Sequence, residues 1–223
     1  MRTTLYLTAW PVLGFLIGSI PFGYIVARAR GVDIRTVGSG NIGMTNVWRT
    51  LGWRAGATVL VLDMLKGVVP IVLLDLCWPA MSPPLPAGWL QGLGIVTGIL
   101  TVLGHTLTPW LGFKGGKGIA TGGGVFIALL QIWALVPIGL FLLTLALTRM
   151  VSAGSLVAAW SGLATTLAVP HLRWLTLVTA PLALIVTWTH RENIQRIMNG
   201  TERKIGSKKA QGAGPNARPK AED

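Results

Sequence analysis

The stretch IATGGGVFIALLQIWALVPIGLFLLTLAL, residues 119–147, runs for 29 residues without a charge. It decides the fold, because one long helix and two short ones would place everything after it on opposite sides of a membrane. Five more apolar runs surround it, from Leu5 to Ala29, Ala55 to Trp78, Gly88 to Leu111, Val151 to Val169 and Leu172 to Thr189. Most are close to the ~20 residues a helix needs to cross a bilayer. The whole chain of 223 residues is 52% hydrophobic and 12% charged, with positive mean hydropathy. Such a composition belongs to an all-α polytopic membrane protein, and a soluble fold has no use for six such runs. The first run is too long and too continuous with the next segment for a cleaved signal, so it is expected to be a retained helix.

Charge then fixes the parity of the spans. The net charge is +12, and its cations fall between the runs and after the last one, the pattern of positive-inside asymmetry; nucleic acid is not expected as a partner. Arg28, Arg30, Arg35, Arg49 and Arg54 mark one cytoplasmic loop, and the basic residues after His190 mark a cytoplasmic tail. The Pro-rich loop from Pro79 to Gly88 holds no Lys or Arg and belongs outside. If residues 119–147 made one span, Arg149 and the basic tail would be extracellular. Two short helices, turning between Gln131 and Pro137, remove the conflict, because a polar residue and a proline interrupt the run there. About seven membrane helices result, some short, with the N-terminus outside and the C-terminus cytoplasmic. Residues 1–206 then form one membrane domain, and 207–223, rich in Lys, Gly, Pro and Ala, are expected to be a disordered basic tail.

The same parity gathers every polar cluster on one face. The first island is Gly38-Ser39-Gly40-Asn41-Ile42-Gly43-Met44-Thr45-Asn46, followed by Arg49; the second is Phe113-Lys114-Gly115-Gly116-Lys117-Gly118. The first matches the dinucleotide pattern G-x-G-x-x-G, but a membrane helix precedes it where a strand is required. The second lacks the Ser or Thr of a P-loop at Gly118. Both are nevertheless expected to bind an anion through converging backbone N–H groups, small polar side chains and nearby cations. Arg149-Met150-Val151-Ser152-Ala153-Gly154-Ser155 adds two hydroxyls and a cation. His190 and Asn193, three apart on one helix face, add a group whose ordinary pKa lies near neutrality. Asp63 and Lys66 neutralise each other inside a span and are expected to support the site from behind. No carboxylate accompanies His105 or His171 at metal-ligand spacing, so neither a metal nor a cofactor is expected. The lone Cys77 excludes an intramolecular disulfide.

Together, Gly18-Ser19-Ile20-Pro21-Phe22-Gly23, the two islands, Gly104-His105, Ser152 to Ser155, His190-Arg191-Glu192-Asn193-Ile194 and Asn199-Gly200-Thr201-Glu202 resemble the bacterial membrane acyl-phosphate:glycerol-3-phosphate acyltransferase (PlsY) family. The likeness covers nearly the whole chain in the family's order. Met44 stands where Ala is commoner, and Ala153-Gly154 departs from the usual Leu-containing version. The resemblance implies seven membrane helices, a cytoplasmic-side site in the bacterial inner membrane, and acyl transfer from acyl phosphate to the 1-hydroxyl of glycerol 3-phosphate. It requires membrane lipid around it and no obligatory protein partner. On that basis Lys114, Lys117, His190 and Asn193 are the expected catalytic residues. Ser39, Gly40, Asn41, Thr45, Asn46, Arg49, Gly115, Gly116 and one of Ser152 and Ser155 would bind substrate, with His190 or the departing phosphate as base. A membrane transporter of a phosphate-bearing anion is the alternative from another class.

Overall fold

The computed structural model describes residues 2–81 and 88–206. The basic tail from 207 to 223 lies outside the described residues, as does most of the Pro-rich loop. Among the described residues all regular structure is helical: α1 (Arg2–Ser19), α2 (Phe22–Arg28), α3 (Met44–Leu51), α4 (Trp53–Met81), α5 (Trp89–Thr106), α6 (Ile119–Leu130), α7 (Leu135–Thr148), α8 (Val151–Ala168), α9 (Thr176–Thr189) and α10 (Arg191–Met198). Six stretches within this set are long and apolar enough to cross a membrane: Leu7–Arg28, Trp53–Trp78, Trp89–Leu111, Ile119–Thr148, Val151–Ala168 and Pro170–Thr189.

The fourth of these stretches is not one helix. A 3-10 turn at Gln131–Ala134 separates α6 from α7, and Gln131 takes a positive φ of 50° there. The limbs of 12 and 14 residues are only about 18 and 21 Å long at ~1.5 Å per residue, short of the ~30 Å hydrocarbon core. Residues of both limbs, from Ile119 to Phe126 and from Pro137 to Leu142, line the same cavity, together with Val151 just beyond α7. A straight helix of 30 residues would hold its ends ~45 Å apart, so the chain goes out along α6 and returns along α7. The charge argument demanded this fold-back, and among the described residues one of the six candidate stretches is forked.

A second break falls at Ile20-Pro21, between α1 and α2. Proline has no N–H to continue the ladder and disfavours helical backbone before it, so the helix breaks there, and the Ile20 carbonyl accepts from Phe22 N–H at 3.1 Å outside any helical ladder. Close helix approach comes from small residues. α4 lies along α6, where a Cβ at Gly67 would overlap the Thr121 carbonyl and one at Gly124 would overlap the Met64 carbonyl. The interior between α4, α5, α6 and α9 is filled by Ile71, Val102, Val125, Leu130, Val178 and Leu182. Leu65, Leu76, Leu147, Leu177 and Leu184 are exposed on the outside, an apolar surface suited to lipid.

Gly124→Ala is expected to lower the thermal midpoint of the protein in detergent by the equivalent of at least about 1–3 kcal/mol, because the added methyl meets backbone rather than a movable side chain. A wild-type midpoint in that variant would show that α4 and α6 separate without cost.

Candidate active site

A cavity of about 790 Å³ fills the fork between α6 and α7, and α8 and α9 close its sides. Its inner arm is apolar, lined by Leu60, Met64, Val102, Phe126, Ile138, Phe141, Ala159 and Leu182. Its mouth is polar and carries the two islands, the start of α8 and the α9–α10 junction. All fourteen residues singled out from the sequence line this one space: Ser39, Gly40, Asn41, Thr45, Asn46, Arg49, Lys114, Gly115, Gly116, Lys117, Ser152, Ser155, His190 and Asn193.

The islands hold their shape in a way the sequence did not suggest. In the first, Asn46 is buried and its side-chain amide donates to the carbonyls of Ile34 (3.2 Å), Val37 (3.1 Å) and Asn41 (2.9 Å), while its Oδ1 accepts from Ser39 N–H at 2.9 Å. Gly38, at φ +63°, sits against that oxygen where a Cβ could not fit. Gly40 N–H donates to Val37 O at 3.0 Å, and Gly43 N–H to Asn41 Oδ1 at 2.8 Å. In the second island, Gly115 N–H donates to Thr106 O at 3.1 Å and Gly116 N–H to His105 O at 3.0 Å. The N–H groups of Ser39, Gly40, Gly43, Gly115 and Gly116 are thus bonded within the protein and are not free for an anion. Asn46 and the glycines shape the loops. The side chains of Ser39, Thr45, Arg49, Lys114 and Lys117 are available to an anion at the mouth.

Glu202 organises the opposite wall. Its carboxylate accepts from Ser152 Oγ (2.7 Å), Asn193 Nδ2 (2.7 Å) and Arg196 Nε (2.8 Å). Burial raises its pKa, but the hydrogen bonds from Ser152, Arg196 and Asn193 outweigh this and hold it below the ordinary value. Asn193 Oδ1 in turn accepts a hydrogen bond from Lys117 Nζ, and Thr189 Oγ1 donates to the Lys117 carbonyl at 3.0 Å. Burial, and then Arg196, lower the Lys117 pKa, so its ammonium gains from any anion placed beside it. Ser155 Oγ donates instead to Val151 O of its own helix at 2.8 Å, so Ser152 is the hydroxyl joined to the polar network. Arg49 is half-buried; its guanidinium donates to Arg203 O at 3.3 Å, and burial, then Arg203, lower its pKa.

His190 caps the junction of α9 and α10. Its Nδ1 lies 2.8 Å from Val186 O, and since a carbonyl can only accept, Nδ1 carries the proton and Nε2 a lone pair. Burial, then the Lys117 charge, push the imidazole pKa down to about 4. Sequence reasoning placed no role on Glu202, Arg196 or Arg203, all of which line the mouth. Only the Asn199-to-Glu202 motif signalled that one of them mattered.

A forked, apolar-surfaced helical bundle whose cavity has a cationic mouth and an apolar arm defines an integral membrane protein. The family model described as glycerol-3-phosphate acyltransferase matches residues 8–200. A glycerol-3-phosphate acyltransferase 1 of Deinococcus radiodurans is 43% identical over 197 residues, 88% of this chain and 94% of the relative. The glycerol-3-phosphate acyltransferase of Geobacter sulfurreducens is 42% identical over 205 residues, 92% and 99% of the two chains. Among solved structures, PlsY (YgiH), an integral membrane glycerol 3-phosphate acyltransferase, is similar in its glycerol 3-phosphate form with TM-score 0.81 and 34% identity, covering 93% of this chain and 99% of that one. Its lysophosphatidic acid form gives a TM-score of 0.78, covering 90% and 95%. The chain belongs to the glycerol-3-phosphate acyltransferase family.

His190 is expected to be neutral at pH 6, because its folded pKa of about 4 lies below that pH. Nitrogen NMR of the labelled imidazole should show a protonated Nδ1 and a bare Nε2; an imidazolium at pH 6 would contradict the buried geometry.

Proposed function

We propose that the protein transfers a fatty acyl group from acyl phosphate to the 1-hydroxyl of sn-glycerol 3-phosphate, giving 1-acyl-glycerol 3-phosphate and inorganic phosphate, the first step of phospholipid synthesis. The observation that carries this is the single cavity that joins Arg49, Lys114 and Lys117 at its mouth to an apolar arm between α6, α7 and α9. Two phosphates and one fatty chain need that combination. The glycerol 3-phosphate and lysophosphatidic acid forms of the similar PlsY structure agree with an acceptor and a product of this kind.

In this reading the cations do most of the chemistry. An acyl phosphate is already a mixed anhydride, so positioning and charge neutralisation suffice without a covalent intermediate. Lys114, Lys117, Ser39, Thr45 and Ser152 hold the acyl phosphate, and Ser155 flanks it. Arg49, His190 and Asn193 orient glycerol 3-phosphate. The hydroxyl oxygen attacks the acyl carbonyl carbon, a new ester C–O bond forms, and the C–O bond to phosphate breaks with its electron pair leaving on phosphate. His190 Nε2 is positioned to accept a hydrogen bond from the attacking hydroxyl. With a pKa of about 4 it is a weak base, whereas a phosphate ionises near pH 6, so we assign the proton to the departing phosphate.

Residues 1–206 act as one membrane-embedded domain in this scheme. The mouth faces the cytoplasm of a bacterial inner membrane, since the cations gather on its side of the bundle. No metal, cofactor or obligatory protein partner enters the reaction.

Purified protein given acyl phosphate and glycerol 3-phosphate is expected to release inorganic phosphate and form the lysophospholipid. Lys117→Ala should lower kcat/KM on the order of 10²–10³-fold, the usual loss when one preorganised electrostatic contact is removed. Product formation from acyl thioesters but not from acyl phosphate would overturn the donor, and wild-type kinetics in Lys117→Ala would overturn the cationic site.

A further inference from the structure

The Asp63–Lys66 pair sits inside α4, 2.8 Å apart, with both side chains 3% exposed or less. Neither the phosphate contacts nor the acyl arm accounts for it. Burying an ion pair within a membrane span is costly, and such pairs persist where their placement serves a site. Lys66 Nζ also donates at 2.9 Å to the Ile20 carbonyl at the break before Pro21, which accepts from Phe22 N–H as well, and lies 5.7 Å from the centre of the Phe22 ring. On the other side, His105 Nδ1 lies 3.8 Å from the same Asp63 oxygen. The far edge of that imidazole rests on Gly116, where a Cβ would overlap Nε2. The backbone repeats the joint, with Gly116 N–H on His105 O at 3.0 Å and Gly115 N–H on Thr106 O at 3.1 Å.

A continuous buried line of contacts thus runs from Ile20 through Lys66, Asp63 and His105 to Gly116, one residue before Lys117. We infer that Asp63, Lys66 and His105 are positioning residues that set the height and tilt of the second island, and through it the placement of Lys114 and Lys117 on the substrate phosphate. Apolar packing would hold α4 and α5 together equally well. It would not orient the imidazole, whereas a charge pair bonded to one particular carbonyl admits one arrangement. Because Asp63 and His105 also line the cavity, a rotated imidazole would enter the space the substrate occupies. This inference rests on the role proposed above for the two lysines.

The test is the pair of substitutions Asp63→Asn and Lys66→Met made together, which removes both charges at similar volume and avoids the unpaired charge that either change alone would leave. A spin label on Phe113→Cys, in a Cys77→Ser background, reports the mobility of the second island in the purified full chain. Steady-state kinetics with acyl phosphate and glycerol 3-phosphate report KM and kcat. Relative to the labelled parent, the label is expected to become more mobile, KM for acyl phosphate to rise, and kcat/KM to fall on the order of 10²-fold, the loss expected from misplacing a contact by about 1 Å. A purely structural role would lower kcat through loss of folded enzyme while leaving KM and the label spectrum unchanged, and that outcome overturns the inference. A mobile island with parent-like kinetics would keep the positioning chain and remove the lysines from the reaction, so the two failures are distinguishable. If the double variant does not fold, His105→Gln, which disturbs no charge balance, should show the same two changes; a parent-like label and KM there also overturn the inference.

Discussion

The structure depends on the fold-back of the apolar run between Ile119 and Thr148. Its two limbs are each too short to cover the hydrocarbon core, and they diverge from the turn at Gln131–Ala134 rather than packing on each other. α6 rests on α4 and α7 rests on α8, so a space remains between the limbs. That space is the apolar arm of the cavity. The fork also brings the start of α6, the end of α7 and the start of α8 to one level, which puts Lys117, Arg149 and Ser152 on the same side of the bundle. A straight helix there would have abolished the cavity and scattered the polar clusters.

The mouth is strongly cationic, yet its geometry is held by one carboxylate. Glu202 ties α8, through Ser152, to α10, through Asn193 and Arg196, and Asn193 passes the connection on to Lys117. Lys117 and Arg49 are both partly desolvated, which weakens their charged forms while the cavity is without an anion. A substrate phosphate relieves that penalty. The site therefore gains affinity for phosphate from burial that would otherwise only cost stability, with side-chain cations rather than the bonded amides of Gly40, Gly43, Gly115 and Gly116 as its charged contacts.

Much of this was legible in the linear chain. Hydropathy and the distribution of arginine and lysine specified the helices and the need for a fold-back, because desolvating a peptide group or a charge costs the same wherever it sits along the sequence. The clustering of small polar and basic residues marked the two islands, the start of α8 and the α9–α10 junction, which all reach the cavity mouth. The role of individual groups was less legible. Gly115 and Gly116 read as an anion nest, but whether an N–H is free depends on the carbonyls of His105 and Thr106, which a sequence does not place beside them. Glu202 stood in the sequence only as the end of the Asn199-to-Glu202 motif, and its role depends on three hydrogen-bond partners from α8 and α10. Asn46 looked like a substrate ligand until its amide was seen bonded to the loop around it.

By itself the sequence determined an all-helical membrane protein, the break between Gln131 and Pro137, and which polar segments share a face, since these stem from local composition and from the cost of moving charge across lipid. Only the tertiary structure decided that the fork is hollow, that the amides of Ser39, Gly40, Gly43, Gly115 and Gly116 are bonded within the protein, and that a buried line from Ile20 to His105 ends beside Gly116. Those facts depend on contacts between residues far apart in the chain, such as Thr108 on Ser19 and Lys66 on Ile20, whose distances no local pattern encodes.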